Sequence, residues 1–135
     1  GVEGDDVLGI LHCEGDVIVS QDKDLLTIPG LHLRDGELLE QTQYAANHAF
    51  FTQCLKGDAA DNYPGLKGMG AVGAKKLLSS CKTEYEMWHK VLGAYEKAGH
   101  DEAFALQMAR CARILRQGEY DLETNTPKLW TPPLN

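Results

Sequence analysis

The feature that most restricts this chain is Gly65-Leu66-Lys67-Gly68-Met69-Gly70, a glycine-rich segment between two stretches of helical apolar spacing. Glycines this dense weaken any helix or strand run through them, so the chain must stop, turn and restart there. Upstream, Tyr44, Ala45, His48, Phe51, Thr52 and Leu55 recur at helical intervals, which predicts a helix over 42–56. Downstream, Ala71-Val72-Gly73-Ala74-Lys75-Lys76 opens a predicted helix over 71–80. A loop that lets backbone approach a ligand closely, leading into a helix N-terminus, suits phosphate. Lys75 and Lys76 in the second turn add point charges. Together they read as a clamp for nucleic-acid backbone that is indifferent to base sequence.

The rest of the chain reads as a little α/β followed mostly by helix. A short helix is predicted over 3–13, with Val7, Leu8, Ile10 and Leu11 as its apolar stripe. Asp16-Val17-Ile18-Val19-Ser20 has the β-branched content of a buried strand, and Leu25-Leu26-Thr27-Ile28 reads as a second extended piece. Two further helices are predicted over 84–97, with Trp88, Val91, Leu92 and Tyr95 on one face, and over 101–116, with Phe104, Met108, Cys111 and Leu115. Trp88, Tyr95 and Phe104 are most simply core. The tail 126–135 holds three prolines and should be irregular. A chain of 135 residues is the size of one ordinary domain, able to bury a core without staples. The four cysteines are widely spaced with no CxxC pair, which fits a reducing compartment and disfavours a disulfide scaffold or zinc site. Nor do the five histidines have metal-ligand spacing. No apolar stretch is long enough for a membrane span or signal peptide.

The net charge of −7 disfavours a nucleic-acid partner at first sight, but the average hides a pattern. Residues 1–35 carry a balance of −6, whereas residues 56–82 carry +3, with Lys56, Lys67, Lys75, Lys76 and Lys82 against Asp58 and Asp61. Carboxylates for cations beside lysines for phosphates are what a metal-dependent phosphodiesterase needs. Chance would also produce such a split. Arg110, Arg113 and Arg116 form a basic stripe that reads as a solvated face.

Three groups of acids are candidates for chemistry. Asp22 and Asp24 follow the predicted strand, and alternate residues of an extended segment face one way. A polar turn is the plain alternative. Glu3, Asp5 and Asp6 crowd a helix start, where capping and dipole compensation account for one or two of them. Asp58 and Asp61 share a face if helical, or belong to turn chemistry ahead of Asn62-Tyr63-Pro64-Gly65.

Taken together, three blocks resemble the 5′-nuclease superfamily of bacteriophage 5′→3′ exonucleases, flap endonucleases and the 5′-nuclease domain of bacterial polymerase I. Gly1-Val2-Glu3-Gly4-Asp5-Asp6 is similar to its G-x-E-A-D-D block, with Gly4 in place of Ala. Ser20-Gln21-Asp22-Lys23-Asp24-Leu25 is similar to S-x-D-x-D-L, with Leu26 just before the position where Gln is common. Gly57-Asp58-Ala59-Ala60-Asp61-Asn62-Tyr63-Pro64-Gly65-Leu66-Lys67-Gly68-Met69-Gly70 matches G-D-x-x-D-N-x-P-G-x-x-G-x-G nearly position for position.

This resemblance implies an α/β fold: the C-terminal part of a PIN-like nuclease core over 1–40, then a mostly helical helix-three-turn-helix subdomain with C-terminal helices over 41–135. It implies a 5′→3′ exodeoxyribonuclease or flap endonuclease acting by a two-metal mechanism. Glu3, Asp5, Asp6, Asp22 and Asp24 would be the catalytic carboxylates, and with Asp58 and Asp61 they would hold two Mg²⁺ or Mn²⁺ ions. Gly65, Lys67, Gly68, Gly70, Lys75 and Lys76 would bind DNA as a duplex with a 5′ end or flap, and K⁺ can join that motif. The family carries further catalytic aspartates, a basic residue for the scissile phosphate and a helical arch ahead of the first block. The chain therefore reads as a C-terminal portion that turns over weakly alone, or as one completed by another chain. A monomer in the cytoplasm of a bacterial or phage-infected cell, with no membrane partner, is expected. A non-catalytic duplex-binding module, or a helical domain with an idle cation site, stays open as the alternative.

Overall fold

A computed structural model describes residues 4–13 and 15–134 and shows a mixed α/β protein. Its elements run α1 (Gly4–Leu11), β1 (Val17–Val19), a 3₁₀ turn (Lys23–Thr27), β2 (Gly30–Arg34), β3 (Glu37–Gln41), α2 (Gln43–Lys56), α3 (Ala71–Leu78), α4 (Glu84–Lys97), α5 (Glu102–Ala112), β4 (Tyr120–Asp121) and β5 (Thr126–Pro127). Two compact units divide the chain: the residues through Ala46 with Ile114–Leu129, and Asn47–Arg113 with the residues from Trp130 onward. None of the described helices is long and apolar enough to cross a membrane.

In the first unit β1 pairs parallel with β2, and β2 pairs antiparallel with β3. Asp35 and Gly36 make the hairpin turn, both at positive φ (52° and 76°), which matches strand twist in a two-residue connection. The hairpin is absent from the sequence reading. The 3₁₀ turn bears out the polar-turn alternative for Asp22 and Asp24: Asp22 caps it by accepting from Asp24 N–H at 2.9 Å, which coils 23–27 where an extended piece was predicted over 25–28. The β1 strand buries only Ile18; Val17 and Val19 lie exposed on the other face, so it is not the fully buried strand expected. Ile18, Leu25 and Ile28 form the core, with Ile114 packed against them. His32 is buried beside it, and its Nε2–H donates to the Ile28 carbonyl at 2.8 Å.

The returning segment is stitched to α1. Asp6 accepts a hydrogen bond from Leu115 N–H at 2.9 Å, and Gly9 is buried under the Leu115 carbonyl with no room for a Cβ. Arg116 is buried here and lies outside any helix, contrary to the solvated stripe expected.

The second unit is helical, and its helices end where local signals place them. Thr83 caps α4 by accepting from Glu86 N–H (3.1 Å), while Glu86 reaches back to Lys82 N–H (2.7 Å), a variant of the capping box. Asp101 caps α5 by accepting from Phe104 N–H at 2.9 Å. Phe50, Phe51, Cys54, Leu55, Trp88 and Tyr95 anchor the core. Trp130, from the proline-rich tail, is buried edge-on against Phe50, Phe51 and Trp88, with centroids 5.2–5.9 Å apart. Arg110 fixes that tail by donating to the Trp130 carbonyl (2.9 Å), and the Arg113 guanidinium lies 4.7 Å over the Phe50 ring. These two arginines are half-buried packing groups, which again corrects the solvated-stripe reading.

Candidate functional site

The site in the second unit begins where α2 runs out of partners for its last carbonyls. Gly57 N–H donates to Gln53 O (2.8 Å), the Tyr95 hydroxyl donates to Cys54 O (2.6 Å), and Leu66 N–H donates to Leu55 O (2.7 Å). These bonds tie the helix end to α4 and to the glycine loop. Asp58 N–H, which would have bonded Cys54 had the helix continued, instead donates to Tyr63 O at 2.9 Å. Tyr63 N–H returns the bond to Asp58 O at 3.2 Å. Asn62 turns the chain at φ 60°, and Asp58 Oδ1 accepts from Ala60 N–H at 2.9 Å.

Asp58 and Asp61 therefore stand on a closed turn and not on a helix. The turn alternative holds and the helical face does not, and the two carboxylates come together: a ligand oxygen of one lies within 4.8 Å of a ligand oxygen of the other. Two oxygens each bound to one hard cation at about 2.0–2.6 Å lie no more than about 5 Å apart. A half-buried Asp58 and an exposed Asp61 thus fit the donor chemistry and reach of one divalent ion.

Beyond that turn the chain passes Gly65 at φ 63°, and Gly68 at φ 82° carries the turn that Met69 N–H closes onto Leu66 O (3.0 Å). Gly70 starts α3 with no side-chain cap, and the first helical bond of that end runs from Ala74 N–H to Gly70 O (3.0 Å). The amides of Ala71, Val72 and Gly73 precede that bond, and their residues are exposed. Gly68 and Gly70 face open space, and Lys67, Lys75 and Lys76 are exposed. Every predicted phosphate-binding residue thus lies on one continuous loop and helix start. His48, half-buried on α2, was not singled out by the sequence. Burial first, and the Lys75 charge second, hold its imidazole below the usual histidine range.

In the first unit Asp5 and Asp6 occupy the opening turn of α1, half-buried, and one Asp6 oxygen is engaged by Leu115 N–H. Asp22 and Asp24 stand at the start of the 3₁₀ turn, not on alternate positions of a strand. Among the described residues of this unit, no three metal-ligating side chains come within reach of a single ion. Glu3 lies outside the described residues.

No family model matches this chain. Among curated proteins it is 29% identical to the exodeoxyribonuclease of Enterobacteria phage T3, and the match covers 97% of this chain and 56% of that one. Identity and coverage are the same against the exonuclease of Escherichia phage T7. The chain is related to these phage nucleases. It spans about half the length of the curated relatives it matches. The alignments run to 168 positions against a chain of 135, so both relatives carry extra residues within the matched region.

Proposed function

We propose that this chain serves a metal-dependent 5′→3′ exodeoxyribonuclease or flap endonuclease, hydrolysing DNA phosphodiesters with two divalent ions. The reading includes the PIN-like core for the first unit and the helix-three-turn-helix for the second. The observation that carries it is the Asp58–Asp61 carboxylate pair on a closed turn, continuous in sequence with a glycine loop, an uncapped helix start and three exposed lysines. The kinship with two phage exonucleases supports it independently.

In this reading Glu3, Asp5, Asp6, Asp22, Asp24, Asp58 and Asp61 hold Mg²⁺ or Mn²⁺. Bound divalent ions would lower the pKa of water and neutralise charge on the leaving oxygen. The residues of the second unit perform the gripping. The Gly68–Gly70 backbone comes close to a strand, the amides at the start of α3 point at a phosphate, and Lys67, Lys75 and Lys76 neutralise its neighbours. The carbonyls of the Gly65–Gly70 turn are the candidates for K⁺. None of these contacts reads a base, so substrate choice rests on DNA shape, a 5′ end or a flap.

Anisotropy titrations with two unrelated 5′-ended duplexes over a salt series test the gripping half. Each lost lysine–phosphate contact removes about one unit from the log–log salt slope. Lys75→Ala/Lys76→Ala should weaken both duplexes alike and flatten both slopes by about two units. Wild-type affinity and slope in that variant would remove the clamp.

A further inference from the structure

A cavity of about 510 Å³ opens in the second unit between the glycine loop, α3 and α4. Its apolar wall is Leu66, Met69 and Leu77, and Lys67, Lys90 and Lys97 line it as exposed cations. No carboxylate is among the described residues that line it. The volume lies within the range of about 300–1,000 Å³ typical of ligand sites. Three lysines around an apolar hollow are unexpected in a chain of net charge −7.

Gly93 supplies a second, independent indication. It lies inside α4, on the cavity lining, and is exposed. A Cβ there would meet nothing within 4 Å, and its φ is not in the left-handed region. Neither backbone conformation nor crowding asks for glycine at this position, and a glycine inside a helix weakens it. Gly73 differs, because a Cβ there would come within 3.2 Å of the Met69 sulfur. A local rule broken with no gain to the fold marks a functional position. A side chain at 93 would project into the cavity, and glycine leaves it open.

We propose that this cavity docks an acidic peptide segment of a partner protein. One large apolar side chain seats against Leu66, Met69 and Leu77 while flanking carboxylates meet Lys67, Lys90 and Lys97. A nucleotide fits less well. The wall is chiefly aliphatic, and its one ring among the described residues, His89, is tilted against Tyr85 at 4.2 Å between centroids. Phosphates alone would need no apolar hollow. This docking stands whether or not the nuclease reading does.

The test uses a fluorescein-labelled peptide with one phenylalanine between two runs of three aspartates, and a control with alanine replacing the phenylalanine. The phenylalanine peptide should bind the 135-residue chain at least tenfold more tightly than the control. Gly93→Leu fills the cavity and should cost at least tenfold in peptide affinity, with melting temperature and duplex affinity kept at wild-type level or above. Lys90→Glu/Lys97→Glu, on the exposed face of α4, should do the same and guards against an effect of leucine on folding. Equal binding of the two peptides, or equal binding by wild type and Gly93→Leu, overturns the proposal. Loss of single-stranded oligothymidine binding in Gly93→Leu would reassign the cavity to nucleic acid and overturn it too.

Discussion

Gly57 and Gly65 face each other across the base of the Asp58–Tyr63 turn so closely that a Cβ on either would overlap the backbone of the other. Both sit at positive φ, 70° and 63°. The carboxylate pair hangs from the turn that this contact closes, so two glycines without functional groups set the position of Asp58 and Asp61.

An alanine at either position should cost more than the ~1–2 kcal/mol of left-handed backbone alone, because the overlap must also be relieved. Gly68→Ala shares the positive φ (82°) but meets open space, so it should lose only that backbone cost. Urea midpoints of the three variants check the order. Equal losses would mean that the Gly57–Gly65 approach is slack.

Tyr95→Phe removes the hydroxyl that satisfies Cys54 O at the end of α2. Burial first, then the Cys54 thiol, raises the phenol well above its ordinary value, so it stays a donor at any working pH. Leaving that carbonyl unpaired in the core should cost about 1–3 kcal/mol. Hydrogen exchange should speed at Gly57 and Leu66 N–H, whose bonds finish the same helix end. A loss of stability without that local loosening would separate Tyr95 from the turn.

These bonds also show what was legible in the sequence. The 57–70 block could be read because Gly57, Gly65 and Gly68 all take positive φ, which few other residues tolerate. Helix 84–97 was read to the residue from Trp88, Val91, Leu92 and Tyr95 on one face, and the Thr83 cap fixes its start. The β2–β3 hairpin was missed although Asp35-Gly36 signals such a turn, because Leu38 and Leu39 are adjacent and both exposed, leaving no alternation to find. Of the two readings of Asp58 and Asp61 the turn holds and the helical face does not, because the hydrogen bonds that close the turn join backbone groups, on which side-chain spacing is silent. Arg110 and Arg113 were read as a solvated face because their partners, Trp130 and Phe50, are distant in sequence.

His48 should report on the phosphate clamp. Removing the Lys75 charge should raise its titration midpoint toward 6.5 without reaching it, since burial remains. Duplex phosphate beside Lys75 should raise it too. Imidazole proton shifts measured against pH in wild type, Lys75→Ala and the duplex complex provide the check. An unmoved His48 in both cases would mean that Lys75 does not act on it.

His32 and His48 both have folded-state values below the ordinary 6.5: burial lowers His32, its Ile28 bond opposes that, and the His12 and Arg34 charges lower it further. The unfolded chain therefore takes up these protons first as pH falls. Stability should drop as pH is lowered from 6.5 through the folded values and gain nothing further above 6.5 from these two groups. Urea midpoints between pH 7.5 and 5.5 should show that fall, and it should be shallower in His32→Gln/His48→Gln. An unchanged slope in the double variant would contradict it.

Mn²⁺-dependent melting tests most directly the proposal that Asp58 and Asp61 hold a divalent ion. An ion bound only by the folded state raises the melting temperature by mass action, in steps set by its concentration over Kd. Wild type should climb with Mn²⁺ from micromolar to millimolar, and Asp58→Ala/Asp61→Ala should climb less over the same range, keeping only the response of the remaining carboxylates. The same climb in both proteins would contradict the account.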